Sequence, residues 1–266
     1  MVFYDFKVSD LYFRVVSFRE LTIPENFRPF RWEGAEDPDW LMQIRFGTPP
    51  KEDRAGERIS WNGDEFIYRL EPQNPGQPYE LYIPDGFADD FCRQGNWLLY
   101  LALERILLPF DRIILHASAV VHQGKAYLFS APSGGGKSTH ANLWHAHYGA
   151  KLLNGDKVVI HVQNGGCIAY GSPVAGSSGI YENLGAPVAG LFVLQKAPYD
   201  RVAPMTKRAA LLALYSETIK STSDGAFNTR LLDLLEQLLS SVPVQSLECL
   251  PEKSAVDCIL SHLEKG

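Results

Sequence analysis

The stretch Ala131-Pro132-Ser133-Gly134-Gly135-Gly136-Lys137-Ser138-Thr139 decides how this chain is read. Just before it, Lys125-Ala126-Tyr127-Leu128-Phe129-Ser130 is rich in β-formers. Just after it, Thr139-His140-Ala141-Asn142-Leu143-Trp144 suits a helix. Strand, glycine loop, Lys-Ser/Thr and helix, in that order, are the context of a phosphate-binding P-loop. Glycines let successive backbone N–H groups turn inward on an anion, because no Cβ blocks the required dihedrals. The helix that follows aims its positive end at the same phosphates. On this reading Ser133, Gly134, Gly135, Gly136, Lys137, Ser138 and Thr139 bind a nucleotide triphosphate. Lys137 reaches the β- and γ-phosphates, and the Ser138 hydroxyl meets Mg²⁺. The pattern G-x-x-x-x-G-K-[ST] finds Ala131 in place of its first glycine, which is tolerable where φ stays negative.

Composition sets the frame around this loop. The chain has 266 residues, 45% of them hydrophobic and 21% charged, enough for one large domain or two lobes with a real core. A net charge of −6 gives no bulk attraction to nucleic acid or to an anionic membrane. Phosphate must therefore be held by local geometry. Cys92, Cys167, Cys249 and Cys258 form no C-x-x-C pair, which points to free thiols in a reducing compartment. The N-terminal run Met1 to Lys7 lacks the apolar segment of a signal peptide. The apolar run from Trp97 to Leu108 contains Glu104 and Arg105 and is too short to span a bilayer. The expectation is a cytoplasmic protein; the oligomeric state stays open.

Residues 1 to 84 read as a β-rich lobe. Tyr12 to Phe18 and Leu41 to Phe46 are strand candidates, and Asn62-Gly63-Asp64 between Ile59-Ser60-Trp61 and Glu65 to Tyr68 signals a hairpin. The lobe reads as a small antiparallel sheet supporting the rest, or as a surface for substrate or partner. Pro72, Pro75, Pro78 and Pro84 mark a boundary, so residues 85–266 form the catalytic lobe. Within it, Asp89 to Leu108 is expected as a helix ended by Pro109, and Arg112 to His116 and Ala119 to Val121 as strands. Lys151 to Ile160 is β-forming around Asn154-Gly155-Asp156, Gly171 to Gly179 is a second glycine- and serine-rich loop, and Ala189 to Leu194 is a buried strand. Helices are expected from Thr206 to about Lys220, Phe227 to Leu239 and Ser254 to His262, with a strand at Val244 to Leu247.

Phosphoryl transfer needs more than a P-loop: a carboxylate for the metal, a group to orient or deprotonate the nucleophile, and cations for developing charge. Asp156 is the best carboxylate, exposed at a strand end after the loop's helix. His116 precedes Lys137 by 21 residues, a gap that one strand, a turn and the P-loop strand would fill. The hairpin could then set His116 beside the phosphates. Other residues carry less. Arg201 could supply a cation or could be a surface residue. His140, His145 and His147 lack the spacing of a zinc site.

Together, His116-Ala117-Ser118, the hairpin, Ser133 to Ser138 and Asp156 resemble the catalytic core of HPr kinase/phosphorylase and its phosphoenolpyruvate carboxykinase-like relatives. The resemblance covers roughly residues 112 to 200. It implies an active-site role for His116 and makes Asp156 the general base toward a substrate hydroxyl, with help from metal contact. Two departures stand out. The family usually pairs two acids at the aspartate motif, whereas Asn154-Gly155 precedes Asp156 and Lys157 follows it. Its Arg-Gly signature is replaced by Tyr170-Gly171-Ser172-Pro173. Both point away from reverse phosphorylase activity and from HPr as substrate, toward HPr kinase-related proteins, some of which sit in peptide-tailoring pathways.

The expected architecture is thus α/β: a P-loop catalytic domain of the HPr kinase/carboxykinase-like type with a mixed sheet, behind a small β-rich N-terminal lobe. The expected activity is an ATP- and Mg²⁺-dependent kinase acting on a hydroxyl, best on a serine or threonine of a peptide or protein. Lys137, Asp156 and His116 are the expected catalytic residues, and Ser138 and Asp156 the metal contacts. The alternatives are a carboxykinase-like or small-molecule phosphotransferase, and a nucleotide-binding module without catalysis.

Overall fold

The computed structural model describes residues 1–266 except 35, 51–54, 63, 64, 75, 175, 177, 178, 221–223, 265 and 266. The chain divides into two compact units, Met1–Leu103 and Glu104–Gly266. The first unit contains β1 (Val2–Val8), β2 (Leu11–Ser17), β3 (Trp40–Phe46), β4 (Gly56–Asn62), β5 (Glu65–Leu70) and β6 (Tyr79–Ile83) in one sheet of order β1-β2-β3-β6-β5-β4. This sheet is mixed, not the antiparallel one expected: β2 runs parallel to β3, and β3 to β6. Connection length explains the difference, because only strands joined by a short turn must reverse. β1 and β2 are such a pair, antiparallel through Ser9 and Asp10 at φ 50° and 63°. β4 and β5 form the expected hairpin, although Gly63 and Asp64 lie outside the described residues. Inside the sheet Phe6 stacks on Phe13 at 5.4 Å and meets Phe27 edge-on at 5.5 Å.

The helix expected over Asp89–Leu108 is broken. Helix α1 (Ala88–Gln94) stops at Gly95, whose φ of 65° ends it in the left-handed conformation. A 3-10 turn follows over Asn96–Leu101, then Ala102 at φ 51° and the short α2 (Leu103–Leu107). Aromatic packing explains why α1 belongs to the first unit: Phe91 lies 6.5 Å from Phe46 and 5.8 Å from Tyr100. The compact units accordingly divide after Leu103, not at the prolines near 84. Pro78 and Pro84 flank β6, an interior strand of the sheet; Pro75 is outside the described residues.

The second unit runs β7 (Arg112–His122), β8 (Lys125–Ser130), α3 (Lys137–Tyr148), β9 (Lys151–Asn154), β10 (Lys157–Gln163), β11 (Gly166–Tyr170), β12 (Gly185–Lys196), β13 (Arg201–Pro204), α4 (Lys207–Glu217), α5 (Gly225–Ser241), β14 (Val244–Cys249) and α6 (Lys253–Leu263). Its sheet has the order β11-β10-β7-β8-β12-β14-β13, with β9 also on β7 and β11 closing back onto β12. It is mixed: β12 is parallel to β8 and β14, and the other pairs are antiparallel. The two strands expected at 112–116 and 119–121 are one. Arg112 to His116 pair with β10, and Ala117 to His122 pair with β8. His116 therefore sits where β7 changes partner.

Alternation along β8 sends its side chains into two cores. Leu128 joins the cluster under α5, which contributes Phe227, Leu231, Leu234, Leu235 and Leu238 at helical spacing. Tyr127 and Phe129 join the opposite cluster with Trp144 of α3 and Val256 and Ile259 of α6. Trp144 stacks on Tyr127 at 4.9 Å. Helices thus cover both faces of the sheet and seat α3 directly after β8. Among the described residues no helix is long and apolar enough to cross a membrane.

Candidate functional site

Between the end of β8 at Ser130 and the start of α3 at Lys137 lies the glycine loop. Gly134 and Gly136 hold φ of 75° and 94°, where a side chain is strained. A Cβ on Gly135 would come within 2.5 Å of the Ala131 Cβ. Each glycine of the run is therefore required by geometry. Ala131 is not among the positive-φ residues, which is why alanine serves there. Lys137 is only 8% exposed. Its Nζ donates to Ala131 O at 2.8 Å and more weakly to Pro132 O at 3.4 Å. Burial pulls its ammonium below the usual lysine range, and the charges of Glu217 and Asp156 oppose that shift. Ser118 of β7 donates to Lys137 O at 2.7 Å and pins the first turn of α3 to the sheet. Ser133, Ser138 and Thr139 are exposed.

Asp156 occupies the turn between β9 and β10. Asn154, fully buried, builds that turn: its Oδ1 accepts from Asp156 N at 2.8 Å and from Lys157 N at 2.7 Å. Its Nδ2 donates to Ser172 O at 3.0 Å, which ties the second glycine loop to the same corner. Of that loop, residues 175, 177 and 178 lie outside the described ones. Gly176 has φ 53°, and a Cβ there would stand 2.7 Å from Asp156 Cγ. The loop backbone thus packs against the Asp156 carboxylate.

The β7–β10 register places Lys157 opposite His116, which brings Asp156 to the imidazole. His116 Nε2 lies 3.0 Å from Asp156 Oδ1, and Lys157 Nζ lies 3.3 Å from Oδ2. The other ring nitrogen, Nδ1, lies 3.0 Å from Glu217 Oε2. Glu217 is the last residue of α4. Its place is fixed by Ile219 N donating to Ile114 O at 2.9 Å and by the bridge between Leu115 and Thr218.

Of the residues singled out in the sequence, Lys137, His116 and Asp156 come together, with Ser118 linking the loop to β7. Glu217 and Asn154 were missed. Glu217 is 101 residues from His116, too far for a local pattern to join them. One signal was readable: an acid in the last turn of a helix opposes the helix dipole, so it asks for a cationic or N–H partner. Arg201 is not part of this cluster; it pairs with Glu248 and lies over the Tyr199 ring. Of the α3 histidines, His140 is structural, and His145 and His147 are exposed. His140 meets Phe129 edge-on at 4.4 Å, its Nε2 accepts from Trp144 Nε1 at 3.3 Å, and burial pushes its pKa down to about 4. Among the described residues no group of three or more His, Cys, Asp or Glu could hold a metal. Alongside the loop, a cavity of about 380 Å³ runs from Gly136 and Thr139 past Leu143 to Leu194, Leu250 and Pro251.

No protein-family model and no curated protein matches the chain. Among solved structures it is similar to the Hpr(Ser) kinase/phosphatase from Coxiella burnetii, at 13% identity and a TM-score of 0.34, over 57% of this chain and 97% of that one.

Proposed function

We propose that this protein is an ATP- and Mg²⁺-dependent kinase that phosphorylates a hydroxyl, that of a serine or threonine in a peptide or protein. One observation carries the reading. Ser118 holds the carbonyl of Lys137, and His116, two residues earlier on the same face of β7, holds Asp156. One strand thus couples the phosphate loop to a carboxylate placed like a base.

The chemistry follows from these residues. Backbone N–H groups of the loop cradle the triphosphate, and Lys137 exchanges the Ala131 carbonyl for phosphate oxygens. The nucleoside extends into the cavity beside Thr139 and Leu143. The donors present suit Mg²⁺, which keeps several waters and takes one or two carboxylates plus substrate phosphates. Ser138, exposed beside Lys137, and the partly exposed Asp156 would hold it, and no larger cage is needed. When bound, the ion neutralises charge on the β- and γ-oxygens. Asp156 accepts the proton of the attacking hydroxyl as the oxygen bonds to the γ-phosphorus and the bond to ADP breaks. His116 keeps the carboxylate aimed.

Two features favour a peptide acceptor. The first unit's sheet ends at β4 in an edge strand that could pair with an extended chain, whereas the outer side of β1 already bridges Arg31. The second glycine loop lies directly on Asp156, where an acceptor must enter. We assign the N-terminal unit to acceptor recognition on this ground. The four cysteines are free thiols, which suits a cytoplasmic setting. The test is incubation with Mg-ATP and a peptide library beside a metabolite pool, followed by mass spectrometry. Phosphate on serine or threonine peptides is the expected result. Label confined to small hydroxy compounds or acids would replace this reading by a small-molecule phosphotransferase or carboxykinase-like activity. Nucleotide binding with no transfer would leave a non-catalytic module.

A further inference from the structure

Lys157 opens β10 directly opposite His116. Directly opposite residues share a face of a sheet. His116 shares its face of β7 with Ser118, whose hydroxyl holds Lys137 O at 2.7 Å. Lys157 therefore stands on the side that carries the glycine loop, while its neighbour Val158 joins the cluster under α5. Its backbone is fixed at both ends: Lys157 N donates to Asn154 Oδ1 at 2.7 Å, and Lys157 O accepts from Ser172 Oγ at 2.6 Å. The side chain is 30% exposed, and Asp156 Oδ2, at 3.3 Å, is the one partner of its Nζ among the described residues. An ammonium has three N–H groups, so two stay unspent. Other cations of this unit are engaged. Lys220 donates to Tyr215 O, Ser216 O and Thr218 O at the end of α4, and Arg201 pairs with Glu248.

Asp156 thus touches an ammonium from the strand, and its charge reaches a second one from the loop, that of Lys137. A phosphoryl group carried by the loop and attacked beside Asp156 passes within reach of both. In a chain of net charge −6, such local cations are what offset the charge of transfer. We infer that Lys157 is a second catalytic lysine: one N–H holds Asp156 Oδ2, and the others meet the oxygens of the phosphoryl group as it crosses to the acceptor. The inference rests on the kinase reading and supplies the further cation that transfer needs. As the acceptor oxygen bonds to phosphorus, the bond to ADP breaks. ADP keeps the electron pair of that bond, and Asp156 takes the acceptor's proton. Charge is then spread over the three outer oxygens of the phosphoryl group. Lys157 gives up no proton; its charge already stands where the opposite charge develops.

The test compares, by calorimetry on the full-length protein, the binding of Mg-ADP alone with that of Mg-ADP plus aluminium fluoride, a mimic of the phosphoryl group in transfer. In the parent, aluminium fluoride should tighten Mg-ADP binding. Lys157→Met keeps the stem and loses the charge. It should bind Mg-ADP alone like the parent and lose about 10–100-fold of the affinity that aluminium fluoride adds. Lys157→Arg keeps a cation and should retain part of the gain. Lys157→Gln serves in place of the methionine variant if that one does not fold. An equal gain in parent and Lys157→Met overturns the inference. So does an equal weakening of both complexes, which would make Lys157 a structural residue. In a turnover assay Lys157→Met should lose about 10–100-fold in kcat with KM for Mg-ATP unchanged, and parental kcat would overturn the catalytic role. Failure of the kinase reading shows in the parent instead. A parent that binds no Mg-ADP, or gains nothing from aluminium fluoride, removes the transfer and the inference with it.

Discussion

The glycine loop and the Asp156 corner lie close enough for Lys137 to feel Asp156 and Glu217, yet they are made in opposite ways. The loop is one continuous segment. Its shape is written in Gly134, Gly135 and Gly136, and its lysine is satisfied by carbonyls five and six residues back. The corner is assembled from β7, the β9–β10 turn, the second glycine loop and the end of α4. The contrast shows why the shape of one continuous loop can be read from a motif, whereas a cluster gathered from several elements needs the whole sheet to be in place.

The comparison is sharpest if each part can be damaged alone. Asp156→Asn should have the largest effect. The amide is nearly isosteric but takes no proton, so turnover should fall ~10²–10⁴-fold while Mg-ATP affinity, read by calorimetry, changes little. Parental turnover would reduce Asp156 to a turn residue, and lost nucleotide binding would show that loop and corner are one unit. Lys137→Ala should come next. Losing a charged donor to phosphate costs about 1.5–3 kcal/mol, or about 10–100-fold in affinity. Unchanged affinity by the same calorimetry would break the P-loop assignment.

Acid should then probe how tightly the loop's helix is seated. Above about pH 6.5, His140 is neutral in both folded and unfolded chains and adds no pH dependence. Between there and about 4, the unfolded chain takes up a proton that the buried imidazole refuses, so stability falls as pH falls. The loss should reach about 2 kcal/mol at roughly pH 5. Urea titrations of parent and His140→Gln at neutral and acid pH measure it. An equal acid loss in both would mean that His140 is not the sensor. The smallest effect belongs to the helix that delivers Glu217. Thr206 Oγ1 accepts from Ala209 N at 3.2 Å at the start of α4. Thr206→Ala should cost ~1 kcal/mol, read as a lower midpoint in thermal unfolding. An unchanged midpoint would mean that α4 is held by the docking of Thr218 and Ile219 on β7 and owes nothing to its cap.

Particular residues show what was legible and what was not. Thr206 announced α4 because a cap is a local hydrogen bond, and the leucines of α5 announced a buried face because their spacing is local too. The helix over 89–108 was misread because hydrophobic spacing continues through Gly95 and Ala102 while the backbone there turns left-handed. The first sheet was read as antiparallel because strand direction depends on where long connections return, and no residue pattern within a strand encodes that.

By itself the sequence determined the glycine loop, the strand and helix on either side of it, and His116 and Asp156 as candidates. Local backbone sterics and short spacing are enough for the loop and its flanks, whereas an active-site role for His116 was implied by the family resemblance. Only the tertiary structure decided that β7 is one strand changing partners at His116, that Asn154 builds the turn of Asp156, and that Glu217 reaches the other side of the imidazole. Those relations depend on register and on the docking of a helix end across about a hundred residues. They are fixed by hydrogen-bonded pairing and packing in space, which sequence spacing does not record.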